Sequence, residues 1–299
     1  MRFINFEADE RVGVAADTGQ GFHGLTRDEP GYPGTLSDLI RSNADLAEVG
    51  RWLSRGPRVD ERAVTLRPPI PRPSKILCLG LNYDDHLAES GLKKPEYPEV
   101  FARFATSLLG HGAAILRPPE SNMLDYEAEL AVVIGRGGRR IAKDRALEHV
   151  AGYSIFNDAT LRDFQGRTPQ WTMGKNFDRT GAFGPWLVTP DELPPGAKGL
   201  RIQGRLNGQT LQDSNTDLLI FDVATLIASL STTLTLEPGD VIITGTPGGI
   251  GWARNPKLFM KPGDVFEVEI EQIGTLSNPI VDDTDVTNSA PADARGNGE

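Results

Sequence analysis

Strand-like runs outnumber helical ones along this chain, and the helices are scattered among the strands. That order predicts a mixed α/β, β-rich fold in preference to a doubly wound parallel sheet. Composition points the same way: 33 glycines and 22 prolines in 299 residues suit many short strands joined by turns. With 38% hydrophobic residues the chain can also bury a sizeable core.

The elements follow in order. Residues 1–66 read as a small N-terminal α+β domain, with strands at RFINF and RVGVAA. It carries one helix from Leu36 to Leu53, N-capped by Thr35 or Ser37. Residues 67–74, RPPIPRPS, hold four prolines between positions 68 and 73, which predicts an extended linker between domains. A larger domain spans 75–285. It opens with the buried-strand pattern KILCLGLN, and DDHLAESG follows as a short helix closed by Gly91. The strand LDYEAELAVVIG, the helix DRALEHV and the strand AGYSIFND come next, then a polar loop over 159–185. RIQGRLNGQTLQ reads as a hairpin turning on Asn207-Gly208. FDVATLIASLSTTL is a helix, DVIITGTP a strand running into a glycine-rich loop, and KPGDVFEVEI a turn and strand. The tail 286–299 has nothing to bury and is expected to be disordered.

Bulk properties exclude some functions. A net charge of −10 argues against a nucleic-acid backbone as partner, which needs a basic stripe. It leaves a small anionic substrate open, because local charge outweighs the total. No run of apolar residues is long enough to span a bilayer, and no secretory leader is read at the start. The single cysteine, Cys78, excludes an internal disulfide and fits a reducing cytoplasm.

The chemistry concentrates in a few places. Asp125, Glu127 and Glu129 alternate along LDYEAELAVVIG and share the strand face of Ala131 and Val133, which look like core. Carboxylates beside a buried face need a partner, and the cationic residues nearby in sequence sit in flanking turns. A hard divalent cation would serve, Mg²⁺ or Mn²⁺ with Ca²⁺ also admissible, and Asp158 at the end of AGYSIFND offers a further ligand. Asp125 is expected at the solvent end of the row. His86 and Glu89, three residues apart on one helical face, could form a water-activating pair. GTPGGIG at 245–251 lacks the Lys-Ser/Thr of a phosphate loop and instead suits close backbone approach to an anion, with the Thr246 hydroxyl. Lys175 lies in the predicted polar loop.

Together these pieces resemble the fumarylacetoacetate hydrolase family, in its subgroup of acylpyruvate hydrolases and oxaloacetate decarboxylases. The matching motifs are NYDDHLAE (82–89), LDYEAELAVVIG (124–135), GYSIFNDATLRDFQ (152–165) and GKNFDRTGAFGPWLV (174–188). TGTPGGIG (244–251) and KPGDVFEVEIEQIGTLSNPI (261–280) follow in the family's order. The resemblance implies a core of rolled β-sheets, a homodimer, and a divalent ion held by Glu127, Glu129 and Asp158. It also implies His86 and Glu89 as the catalytic dyad with Lys175 beside the developing enolate. Gln165, Arg162 and Thr246 fall where the family contacts substrate. Many members carry a lysine in an F-x-K-P-like segment where this chain reads FARFATS, with Arg103 near the place. The implied activity is hydrolytic C–C cleavage of a β-diketo acid such as an acylpyruvate or fumarylpyruvate. Its alternatives are decarboxylation of oxaloacetate, isomerisation or decarboxylation of unsaturated oxo-acids in aromatic catabolism, and hydrolysis or dehydration of diketo-deoxy sugar acids. A non-catalytic binder of metal and 2-oxo acid is the rival class, and the His86–Glu89 pair speaks against it.

Overall fold

The computed structural model describes residues 1–85 and 94–283. His86 and Glu89 lie outside the described residues, as does the tail. Among the described residues, eleven strands form one mixed sheet. Its centre is Ala128–Ile134, paired antiparallel to Val150–Asp158 on one side and to Val241–Ile243 on the other. Val241–Ile243 in turn runs parallel to Ile76–Gly80. A second sheet of five strands contains Arg201–Leu206, Val265–Ile270 and Gly274–Asp282. The hairpin Arg201–Leu206 to Gln209–Asn215 turns on Asn207 (φ 51°) and Gly208 (φ 79°), the left-handed pair that a tight two-residue turn requires.

Every residue of Ala128–Ile134 is buried, and its two faces meet different cores. Ala128, Leu130, Val132 and Ile134 pack with Phe266, Val268, Leu276 and the helix Val223–Thr233. Ala131 and Val133 pack with Phe156, Ile243 and, across the predicted domain boundary, Phe3, Val14, Leu36 and Leu39. The N-terminal strands extend the same sheet, with Arg2–Ala8 pairing to Gly181–Val188 through Arg2↔Val188 and Phe3↔Leu187. The proline-rich stretch 67–74 is therefore crossed by both a hydrogen-bonded sheet and an apolar core. Within it Ile70 is fully buried, while Asn5 Nδ2 donates to the Pro69 carbonyl at 2.7 Å.

The structure differs from the sequence reading in four local places. The single helix 36–53 is two, Leu36–Arg41 and Leu46–Leu53, broken where Asn43 takes φ 55° and Asp45 caps the second. Thr35 caps the first through a reciprocal capping box with Asp38, so Thr35→Ala should cost about 1 kcal/mol in a thermal or urea melt. Of DRALEHV, residues 144–149 fall within a 3-10 helix, Lys143–His149, and Val150 already opens the next strand. LDYEAELAVVIG is two strands, Leu124–Asp125 and Ala128–Ile134, with Tyr126 and Glu127 between them. Finally, the expected polar loop 159–185 is largely structured. It contains the short strand Thr160–Leu161, the helices Arg162–Gln165 and Thr172–Lys175, and the start of Gly181–Val188. Its Arg162 and Lys175 read as loop charges because the acids that bury them, Asp125, Glu127 and Asp158, lie outside the stretch, which hydropathy cannot register.

Candidate active site and metal centre

The site forms at one end of the central strand pair. Glu129 stands opposite Phe156 in the antiparallel register, so their side chains share a face, and Asp158 two residues on joins them. Asp158 N–H donates to the Glu127 carbonyl at 3.0 Å, which sets these two acids across from each other where the pairing ends. Glu127 N–H donates to Asn157 Oδ1 at 3.0 Å. The result is three buried carboxylates, Glu127, Glu129 and Asp158, with candidate ligand oxygens within 4.8 Å of one another.

Three cations surround them: Arg103, Arg162 and Lys175. Lys175 Nζ donates to Glu127 Oε2 at 2.8 Å and to Asp158 Oδ2 at 2.6 Å. Burial opposes its charge, but Asp158 and Glu127 outweigh that and hold the amine above the ordinary lysine range. Arg162 pairs through Nε with Asp125 Oδ2 at 2.7 Å and through Nη1 with Glu127 Oε1 at 2.7 Å. Its Nη1 also donates to Gln165 Oε1 at 2.9 Å. Arg103 lies behind Asp158: its Nε bonds Asp158 Oδ1, its Nη2 the Ala159 carbonyl, and its Nη1 Thr180 Oγ1. All three nitrogens of this expected substrate contact are thus taken up inside the protein. Thr246 likewise spends its hydroxyl proton on the Ala128 carbonyl at 3.0 Å, and it accepts from Gln212 Nε2 at 2.8 Å.

Glu129 is the exception. It accepts from Gly245 N–H at 2.5 Å, but among the described residues no lysine or arginine lies within salt-bridge distance of it. Burial, then the Asp158 and Glu127 charges, push its carboxyl well above the ordinary range. The glycine loop is built to reach it. Gly245 has φ 100°, and a side chain there would place Cβ 2.9 Å from Asn82 Cβ. Asn82 in turn donates to the Thr244 carbonyl at 2.8 Å.

These features fit a hard divalent cation. Counted as ionised, Asp125, Glu127, Glu129 and Asp158 bring four negative charges against three positive from Arg103, Arg162 and Lys175. One buried negative charge remains, beside an all-oxygen donor set. A divalent ion would reverse the sign of the cluster and make it attract an anion. Two donors beside the acids, Arg162 Nη2 and Asn157 Nδ2, are buried with no partner among the described residues.

One expectation is corrected. Asp125 is not at a solvent end: it is fully buried and accepts from Arg162 and from backbone N–H groups. The parity of the acidic row could have signalled this, because Asp125 shares it with both inward-facing glutamates. Asn157 and Gly245 were invisible as site residues, since each acts through a single hydrogen bond set by the fold. The start of the expected dyad segment is tied to the glycine loop, where Asp85 accepts from Gly248 N–H at 3.3 Å, and to the strand Gln209–Asn215, where it accepts from Ser214 Oγ at 2.5 Å. A cavity of about 340 Å³ lies elsewhere, between residues 43–47 and the strand ends at Gly135 and Val150, and touches none of these acids. No helix among the described residues is long and apolar enough to cross a membrane.

Comparison with known proteins adds relatives along nearly the whole chain. The family profile described as fumarylacetoacetate (FAA) hydrolase C-terminal matches residues 75–281. The mitochondrial oxaloacetate tautomerase of Rattus norvegicus is 37% identical over 288 residues, covering 94% of this chain and 92% of its own. Among solved structures, the fumarylacetoacetate hydrolase of Exiguobacterium antarcticum superposes with a TM-score of 0.82 at 35% identity, covering 94% of this chain and 99% of that one. Maleylpyruvate hydrolase from Sphingobium sp. SYK-6, solved with manganese(II) and pyruvate, gives a TM-score of 0.77 at 27% identity, covering 94% and 99%.

Proposed function

The chain belongs to the fumarylacetoacetate hydrolase family, and from that premise we propose that it interconverts the enol and keto forms of oxaloacetate or a closely similar 2-oxo dicarboxylate. The observation that carries this reading is the buried ring of Glu127, Glu129 and Asp158 with the donors of Lys175 and Arg162 against it. Such a site stabilises negative charge as it develops on an enolate oxygen, and it does so without reorganising at the moment of reaction. The name carried by the rat relative supports oxaloacetate as the compound.

Lys175, held protonated by its carboxylate neighbours, donates to the enolate oxygen. Arg162 offers Nη2 to a substrate carboxylate, with Gln165 fixing the plane of the guanidinium. A divalent ion, Mg²⁺ or Mn²⁺, would be held by Glu127, Glu129 and Asp158 and would polarise the 2-oxo group. His86, oriented by Glu89, moves the proton to and from the substrate carbon, and general-base help of this kind contributes roughly 10²–10⁴ in rate. Arg103 acts behind Asp158 and Thr246 behind Ala128, each by holding a ligand-bearing strand in place.

A second reading, hydrolysis of an acylpyruvate, is favoured by the likeness to a maleylpyruvate hydrolase. It uses the same residues, with His86 taking its proton from water. The working form is a homodimer in a reducing compartment, where the fully buried Cys78 stays a thiol.

The test is a substrate panel. Loss of enol-oxaloacetate absorbance should accelerate on adding enzyme, with no release of pyruvate. Pyruvate from oxaloacetate would make the protein a decarboxylase. Cleavage of acylpyruvate or fumarylpyruvate with no effect on the enol would reject the tautomerase reading in favour of the hydrolase.

A further inference from the structure

Asp125 is neither one of the clustered ligands nor a surface residue, yet it is among the most completely engaged carboxylates in the structure. Its side chain is fully buried. Oδ2 accepts from Arg162 Nε at 2.7 Å and from Trp252 N–H at 2.8 Å. Oδ1 accepts from Gly251 N–H at 2.8 Å and from its neighbour Tyr126 N–H at 2.9 Å. Four donors converge on two oxygens, and both oxygens must accept. A carboxylate meets that demand; a carboxamide cannot, because its NH₂ would face two further donors.

The partners come from three separate pieces of chain. Arg162 reaches Asp125 because Thr160–Leu161 pairs with Leu124–Asp125, register Thr160↔Asp125, and because Arg162 N–H donates to the Met123 carbonyl at 3.1 Å. Gly251 and Trp252 close the glycine-rich loop whose other end, Gly245, bonds Glu129. Gly251 must be glycine here: a Cβ would stand 2.5 Å from Asp125 Oδ1 and would meet the Leu258 carbonyl closer still. On the other side, Arg162 uses Nε on Asp125 and Nη1 on Glu127 and Gln165, which locks the guanidinium plane at two edges. Nη2 shares the central carbon with that Nη1 and is the buried donor left over.

We propose that Asp125 is a positioning residue that pins the 251–252 end of the glycine-rich loop to Arg162, so that Nη2 is presented at the acidic cluster to a carboxylate of the substrate. The inference rests on the reading that the substrate is an anionic 2-oxo acid. Asp125 touches no reacting atom. It acts through Arg162, and the two residues form one functional unit.

The test uses the full chain carrying Asp125→Asn, Arg162→Lys and both together, assayed on whichever compound of the panel the wild type turns over. Each single change should raise KM roughly 10- to 100-fold while kcat changes far less, the signature of a lost charge-assisted contact to a bound carboxylate. The double variant should be no worse than the poorer single one, because one unit cannot be lost twice. Trp252→Pro, which deletes one backbone donor to Asp125 at an exposed loop position without altering either charged partner, should raise KM in the same direction and keeps the test open if Asp125→Asn does not fold. A purely structural role predicts unchanged KM with a reduced active fraction, and that result overturns the proposal. So do losses that multiply in the double variant, or wild-type kinetics for Asp125→Asn or Trp252→Pro. Failure of the wild type on every compound rejects the functional reading instead, which separates the two.

Discussion

Glu129→Gln should cut turnover by roughly two to three orders of magnitude while making the metal-free protein more stable. Glu129 is buried, accepts one backbone N–H, and has no cationic partner among the described residues, so its charge is the uncompensated one in the cluster. Glutamine keeps an acceptor for Gly245 and removes that charge. Relief of an unpaired buried carboxylate should raise metal-free stability by about 1–4 kcal/mol at neutral pH. Turnover should fall by roughly 10²–10³-fold, since the ligand set loses a charge on which the electrostatics depend. The sign with pH follows from the direction of the shift. The folded pKa of Glu129 is raised above its unfolded value, so the stabilisation due to its proton is complete below the ordinary carboxylate range. It is lost as pH rises through the raised pKa. The wild type minus variant difference in melting temperature should therefore widen in the variant's favour as pH increases, and added Mn²⁺ or Mg²⁺ should stabilise the wild type alone. A variant that melts earlier than wild type at neutral pH without metal would show that Glu129 is already compensated.

Lys175→Met should also lose turnover but shift stability the other way. Its ammonium is shared by Glu127 and Asp158, and the side chain is almost entirely buried, also passing over the Phe101 ring at 4.8 Å. Methionine fills similar space but leaves two buried carboxylates each short of a donor. Removing one member of a buried ion network costs about 3–5 kcal/mol. Arg162 and Arg103 remain on those acids, which places the expected loss at the lower end of that range. Divalent ion should recover much of the stability, because it replaces the missing positive charge, but not the activity, because no donor remains for the enolate oxygen. Urea melts with and without Mn²⁺, run beside the enol assay, separate the two effects. Full activity in Lys175→Met would remove this residue from the chemistry.

The opposite signs expected for two residues of one cluster were not legible in the sequence. LDYEAELAVVIG announces carboxylates on a core-facing side, and period-2 alternation suffices to put Glu127 and Glu129 together. It says nothing about which acid is paired. That depends on Lys175, 48 residues away from Glu127, and on Arg162, 37 residues from Asp125. Both sit in a stretch whose polarity reads as loop. Their charges are buried by pairing with acids outside that stretch, an arrangement that defeats any rule equating polar with exposed. Asp125 was misplaced for a related reason: four donors hold it, three of them backbone N–H groups that no side-chain pattern can reveal.

The N-terminal region carries the same lesson at the level of the fold. Four prolines in 68–73 mark a stretch that is neither helix nor central strand, and local chemistry settles that much. Whether the chain on either side shares a core is a question of long-range contact, and Phe3, Leu36 and Leu39 answer it by packing with Ala131 and Val133. By itself the sequence determined the β-rich class, the Asn207-Gly208 hairpin, the buried central strand and the three acids at its mouth, because backbone propensity and side-chain alternation act over a few residues. Only the tertiary structure decided which cations face those acids, that Glu129 lacks one among the described residues, and that Asp125 joins a loop to an arginine. Those outcomes depend on free energies of pairs brought together by the sheet, and burial makes each pairing count for kilocalories that the same charges would not command in water.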